Sequence, residues 1–259
     1  MTRATLLENG LVIDGTGASG WTGDVLLVAG RIAAVGQNLR AQLPQLPQLP
    51  QLPQLPEGLT LDEVTTVDCT GLVITPGFID VHTHDDAIVL KQPDMLPKVS
   101  QGITTVITGN CGISLLPFVV DKAEPPLNLL GVDSFRFDSV EGYERAIATA
   151  QPAVNVAMLI GHTTLRFACM GDLTRAASAS ELDAMCVLLA RCMENGAIGM
   201  SSGLFMSRPL RPLLMRWCAW RQWLRALGVS TAPICAMKWP PSWKPCTRRA
   251  TRRSALACR

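Results

Sequence analysis

His82 and His84 stand one residue apart in Pro76-Gly77-Phe78-Ile79-Asp80-Val81-His82-Thr83-His84-Asp85-Asp86, and two of the three histidines in the chain lie in this triplet. On an extended segment residues i and i+2 face the same side, so both imidazoles can meet one metal ion. A second segment, Ile103 to Gly112, is an apolar run ending in Gly109-Asn110-Cys111-Gly112. A thiolate is a good zinc ligand, and zinc keeps it deprotonated. Cys111 on a strand neighbouring the His pair would complete three donors for one ion. A third segment, Ile160-Gly161-His162-Thr163-Thr164-Leu165-Arg166, offers His162 as a pocket residue, a donor behind the ligands or a structural histidine. It is given no ligand role. Asp80, Asp85 and Asp86 could each orient an imidazole through its second nitrogen, or could be solvated loop carboxylates. The remaining cysteines read as small apolar packing side chains.

These residues need strands to carry them. Val73–His82, Thr104–Thr108, Val154–Ile160 and Ala197–Ser201 are the strand candidates, alternating with helical segments. Between the last two lies a helix with a capping box at Ser178 and Glu181. Its apolar stripe is Leu182, Met185, Leu188, Leu189 and Cys192, and Gly196 takes the C′ position. Strand–helix alternation predicts a parallel sheet with right-handed crossovers, and the spacing suits a (β/α) barrel. Four strands are half of the eight that a barrel needs. Before them, residues 5–36 read as short strands of a small β domain, with breaks at Asn9-Gly10, Gly15-Thr16-Gly17 and Ala29-Gly30.

Composition bounds the class. The chain has 259 residues, 48% hydrophobic and 17% charged, with net charge +2. It is globular, and no apolar run approaches the roughly 20 residues of a membrane span. Polar and acidic residues interrupt the first fifteen positions, which predicts a cytoplasmic chain rather than a secreted one. Nine Cys without a CxxC pair read as thiols rather than disulfides.

Two segments break the pattern. Gln42 to Pro56 is Gln-Leu-Pro five times over. Proline at every third position forbids a helix interior and a central strand, and predicts a polyproline II stretch of up to about 47 Å. It reads as a repeat expansion in a tolerant loop, with a rigid spacer as the alternative. From Ser207 onward there are 12 basic residues, no acid, and five of the six Trp, whereas residues 1–206 carry ten more acids than bases. One reading is a basic, aromatic tail that pairs phosphates and stacks bases of nucleic acid. It lacks a nucleic-acid-binding motif, and Pro233, Pro240, Pro241 and Pro245 interrupt any long helix.

The N-terminal β segment, PGFIDVHTHDD, LPKVSQGITTVITGNCGISLLPF, GHTTLR and GAIGMSSGLF together resemble the N-acyl-D-amino-acid deacylases (D-aminoacylases) of the amidohydrolase superfamily. The resemblance runs from about residue 5 to Phe205, in order, apart from the repeat. It implies a zinc-dependent (β/α)₈ barrel beside a small β-sandwich, of which this chain holds about the first barrel half (71–205) and a partial sandwich (1–70). It implies hydrolysis of the amide of a small-molecule N-acyl-D-amino acid to a carboxylate and a D-amino acid, with the nucleic-acid reading of the tail kept only as the alternative. It places metal-ligand roles on His82, His84 and Cys111. Further His ligands and a catalytic Asp come from later strands in the family. Here no His follows His162 and no acid follows Glu194.

After Phe205 the family pattern stops. Taking the last base of each codon with the first two of the next, from Met206, permits Val-Pro-Ala-Ala-Pro over Met206–Arg211. Over Ala232–Lys238 it permits Thr-His-Met-Arg-Asp-Glu, its Glu forced by Met237-Lys238. Family members carry Tyr-x-Pro and a His-Met-Arg-Asp-Glu segment there. Residues 206–259 are therefore expected to be an out-of-frame reading, irregular in structure. Without the catalytic carboxylate, the chain is expected to be an inactive, poorly soluble fragment with an unpaired strand edge.

Overall fold

The computed structural model describes residues 4–43 and 64–203. Most of the Gln-Leu-Pro repeat and the whole segment from residue 206 on lie outside them. The chain divides into two units, Met1–Phe78 and Ile79–Arg259.

The first unit is built on one five-stranded sheet. Strands β1 (Ala4–Val12), β2 (Trp21–Val28), β3 (Arg31–Gly36) and β4 (Val64–Asp68) lie in the order β3-β2-β1-β4, and β5 (Val73–Ile74) pairs further along β1. β1 runs antiparallel to β2 and parallel to β4 and β5. Asn9-Gly10 does not end a strand, as the sequence suggested. The ladder slips there and β1 continues, with Asn9 in the left-handed region at φ 62°. Asn tolerates that conformation, so the break becomes a bulge. Ala29 and Gly30, both at positive φ, make the two-residue hairpin turn between β2 and β3. Ala4, Leu6, Leu26, Val28 and Leu39 form the core of this sheet, Leu39 coming from the short helix α1 (Leu39–Gln42).

Asp24 is buried on β2 at 5% exposure and joins two distant segments. Its Oδ1 accepts from Asn9 N at 2.9 Å and its Oδ2 from Leu39 N at 2.8 Å. Asp24→Ala would leave both donors without an acceptor. It is expected to lower the unfolding free energy by about 3 kcal/mol, measured by urea unfolding of the full chain.

The second unit is α/β, a curled parallel sheet amounting to half of a barrel wall. Its strands β6 (Phe78–Asp80), β7 (Ile103–Thr108), β10 (Asn155–Gly161) and β11 (Gly199–Ser201) lie in the order β11-β10-β7-β6. β10 is parallel to both its neighbours. The helices α2 (Ile88–Lys91) and α3 (Leu96–Val99) link β6 to β7. A two-stranded ribbon, β8 (Phe118–Val119) with β9 (Arg136–Phe137), and α4 (Val140–Ala150) lead to β10. Then α5 (His162–Cys169) and α6 (Ala179–Glu194) lead to β11.

Helix α6 follows its sequence closely. Ser178 Oγ accepts from Glu181 N and Glu181 Oε2 accepts from Ser178 N at 2.7 Å, which completes the capping box. Met185, Leu189 and Cys192 are buried, Leu182 and Leu188 pack beside them, and Gly196 follows the helix at φ 111°. Val106, Met158, Ile160 and Met200 from the sheet join Leu165, Met185, Leu189, Phe135 and Tyr143 in one core.

The expected strand Val73–His82 is a correction. It splits into β5 and β6 around Thr75-Pro76-Gly77, and β5 pairs in the first unit's sheet. Pro76 has no N–H to give a ladder, so the apolar run is divided there.

Candidate metal centre

The two histidines lie in the loop after β6 rather than on the strand itself. Side chains hold that loop. Asp80 Oδ1 accepts from His82 N at 3.2 Å, and Thr83 Oγ1 accepts from Asp85 N at 2.8 Å. Cys111 leaves the end of β7 in a turn where Gly109, Cys111 and Gly112 all have positive φ, at 75°, 53° and 78°. The two loops meet. His82 Nε2 stands 2.9 Å from Cys111 Sγ, and the rings of His82 and His84 are 5.9 Å apart at 68°.

One donor atom from each of His82, His84 and Cys111 lies within 4.8 Å of the others. Bonds of about 2.0–2.3 Å from one zinc ion reach such a set with small side-chain adjustments. The donors are also chemically apt, because two imidazoles and a thiolate suit a borderline-soft ion. Partial burial lowers the pKa of His84, and its neighbour His82 lowers it further against the pull of Asp85. A neutral imidazole is the form that binds a metal.

The carboxylates beside the histidines do other work than the sequence suggested. Lys98 Nζ, on α3, lies 2.7 Å from Asp80 Oδ2 and 2.9 Å from Asp85 Oδ2. The Lys98 hydrogen bond lowers the pKa of Asp80. Burial pulls Lys98 down, but the two carboxylates outweigh it and leave it raised. Asp86 is buried, and its Oδ1 accepts from Gly109 N at 3.0 Å, which ties the histidine loop to the Cys111 turn. Tyr143 Oη donates to the Asp86 carbonyl at 2.7 Å. Burial pushes Asp86 up to about 7 against the opposing Gly109 N–H. Among the described residues, none of the three carboxylates bonds an imidazole nitrogen.

His162 begins α5 after Gly161 and is not in the donor cluster. Burial, aided by Arg166, lowers its pKa to about 4, so it is neutral near pH 7. Arg166 is 4% exposed, and its Nη2 donates to the carbonyls of Leu173 and Arg175. It holds the α5–α6 connection. Cys69 and Cys192 pack as buried thiols, and burial raises Cys192 to about 11.

The residues that sequence reasoning missed are Lys98 and Ser201. Lys98 could have been flagged only as one of the two lysines, with Lys91, that next follow Asp80, Asp85 and Asp86. Ser201, whose hydroxyl bonds both Gly112 N and Gly109 O, is an ordinary serine at the end of an apolar strand.

Comparison with known proteins gives the family. Residues 65–229 match the amidohydrolase family. An N-acyl-D-aspartate deacylase of Alcaligenes xylosoxydans xylosoxydans is 44% identical over 201 residues, 77% of this chain and 36% of that protein. A crystal structure of D-aminoacylase superposes with TM-score 0.65 at 45% identity, covering 78% of this chain and 38% of the other. An N-acyl-D-glutamate deacylase from Bordetella bronchiseptica, solved with zinc and a phosphonate mimic of the tetrahedral intermediate, is 37% identical. It has TM-score 0.64, with 80% and 40% covered. The chain thus spans little more than a third of the length of the relatives it matches.

Proposed function

Because the chain belongs to the amidohydrolase family, we propose that it carries the first half of a zinc-dependent N-acyl-D-amino-acid deacylase, with His82, His84 and Cys111 as zinc ligands. The observation that carries this is the convergence of two imidazoles and a sulfur within 4.8 Å, from loops following two strands of one sheet. Zinc held there supplies Lewis-acid polarisation of an amide carbonyl and acidifies water toward pH 7. The protein's own part is to hold the donors. Asp80 and Thr83 fix the histidine loop through backbone N–H groups. Lys98 keeps Asp80 and Asp85 engaged. Asp86 bonds the turn that carries Cys111.

The same residues leave the reaction short of a base. A deacylase needs a carboxylate to take a proton from water and return it to the leaving amine. Asp80 and Asp85 are held by Lys98, Asp86 is buried with Gly109, and no Asp or Glu follows Glu194. On this reading the 259-residue chain is a cytoplasmic, non-catalytic fragment of a (β/α)₈ enzyme whose substrates are small N-acyl-D-amino acids. Its first sheet is part of a β-sandwich, residues 42–56 are an insertion, and residues 206–259 are read out of frame. Elemental analysis after dialysis against zinc is expected to find about one ion per chain. The cobalt form should show a thiolate-to-metal absorption band. A chain that takes up neither metal would remove the assignment.

A further inference from the structure

The turn that presents Cys111 is held from a strand far away in sequence. Ser201 on β11 is 1% exposed. Its Oγ accepts from Gly112 N at 2.9 Å and donates to Gly109 O, so one hydroxyl bonds both sides of Cys111. Positive φ at Cys111 is sterically unfavourable for a residue with a Cβ, so the turn needs fixed partners to persist. Glycines let other backbone come close around it. A Cβ on Gly109 would stand 1.9 Å from Leu159 O, and one on Gly203 1.9 Å from Cys111 O. A Cβ on Gly161 would stand 2.5 Å from Gly112 O. Such close packing also brings the start of α5 against the turn, where Thr163 N donates to Gly112 O at 2.7 Å, and side chains add three more bonds. Asp86 supplies one bond, to Gly109 N, and Ser201 supplies two.

We propose that Ser201 is a positioning residue for metal binding: its hydroxyl clamps the Gly109–Gly112 turn and so sets Cys111 Sγ beside His82. The proposal rests on the reading of Cys111 as a ligand. Ser201 acts through the backbone on either side of Cys111, to which its hydroxyl is bonded.

The test compares Ser201→Ala, Ser201→Thr and Ser114→Ala in the full chain. Ser114 is an apt control because it is equally buried and also bonded twice, accepting from Gly161 N at 2.9 Å and donating to Leu116 O. Zinc affinity is read by chelator competition, the cobalt–thiolate band by absorption, and stability of the metal-free chain by urea unfolding. S201A is expected to lose about tenfold or more in zinc affinity and to weaken or shift the cobalt band. S201T, which keeps the hydroxyl, is expected to retain both. S114A is expected to lose stability comparably while keeping its affinity. If S201A does not fold, Ser201→Gly removes the hydroxyl without added bulk and is read in the same way. Wild-type affinity and an unchanged band in the hydroxyl-free variant would overturn the proposal. So would an equal loss of affinity in S114A, because the effect would then follow stability. A wild-type chain that binds neither metal would defeat the ligand reading itself and this proposal with it, an outcome visible before any variant is made.

Discussion

On the proposed reading, restoring one base at the codon for Phe205 is expected to give deacylase turnover that the 259-residue chain does not show. The chemical gap is specific. Three candidate donors converge, no His follows His162 and no acid follows Glu194 in the 259 residues, and the resemblance implies that further His ligands and a catalytic Asp come from later strands. The shifted frame permits residue types of the kind the resemblance implies. The last base of Phe205 with the first two of Met206 permits Tyr, and Val and Pro can follow, which regains Tyr-x-Pro. Ala232–Lys238 permits Thr-His-Met-Arg-Asp-Glu, and Met237-Lys238 leaves no choice but Glu. The proposed out-of-frame reading would also account for a stretch of 12 basic residues and no acid. The match to the amidohydrolase family continues to residue 229, so resequencing should run through that codon as well as Phe205. General acid–base catalysis contributes about 10²–10⁴-fold, and a complete ligand set adds to it. Release of free D-amino acid from N-acyl-D-amino acids should therefore be detected for the repaired product and not for the 259-residue chain. Comparable turnover by the present chain would refute the argument, as would an intact frame in the gene together with an inactive repaired product.

What the sequence disclosed follows from how local each signal is. The α6 capping box is written within four residues, Ser178 to Glu181, and the fold realises it. His82, His84 and Cys111 stand out because few residue types bind metals, and strand–turn patterns place them at neighbouring ends. Non-local relations were hidden. Nothing near Lys98 says that α3 will set its ammonium between Asp80 and Asp85, the first of them 18 positions earlier. Nothing in a buried serine says that it spans a turn 92 residues upstream. The continuous strand expected over Val73–His82 failed for a different reason. Its apolar residues satisfy a strand pattern on both sides of Pro76, but the missing N–H divides them between two sheets. Asn9 shows the converse, since a turn-forming pair sits inside a strand because the ladder on either side of the bulge outweighs it.

Replacing Cys111 should separate metal binding from fold stability. At φ 53° Cys111 occupies the left-handed region, where a Cβ costs roughly 1–2 kcal/mol relative to glycine. Two neighbours, Gly109 and Gly112, meet the same demand by having no Cβ. A residue chosen for stability alone would be glycine there too, so a cysteine in that conformation is held against a local penalty. Cys111→Ala keeps the Cβ and loses the sulfur, whereas Cys111→Gly loses both. Each is expected to abolish the cobalt–thiolate band and to weaken zinc binding by 100-fold or more, on the order of losing one strong ligand. Their stabilities should differ in the opposite sense to a simple loss of packing. Metal-free C111G should unfold about 1 kcal/mol later than C111A, the relief of the left-handed strain exceeding the added freedom of the unfolded glycine. Urea unfolding of the two variants side by side checks the sign. If C111A were the more stable, the turn would not be strained at Cys111, and its cysteine could not be explained by a demand for sulfur against conformational preference. If the band survived in either variant, the sulfur bound to cobalt would be another cysteine, and the centre would have to be rebuilt from different residues.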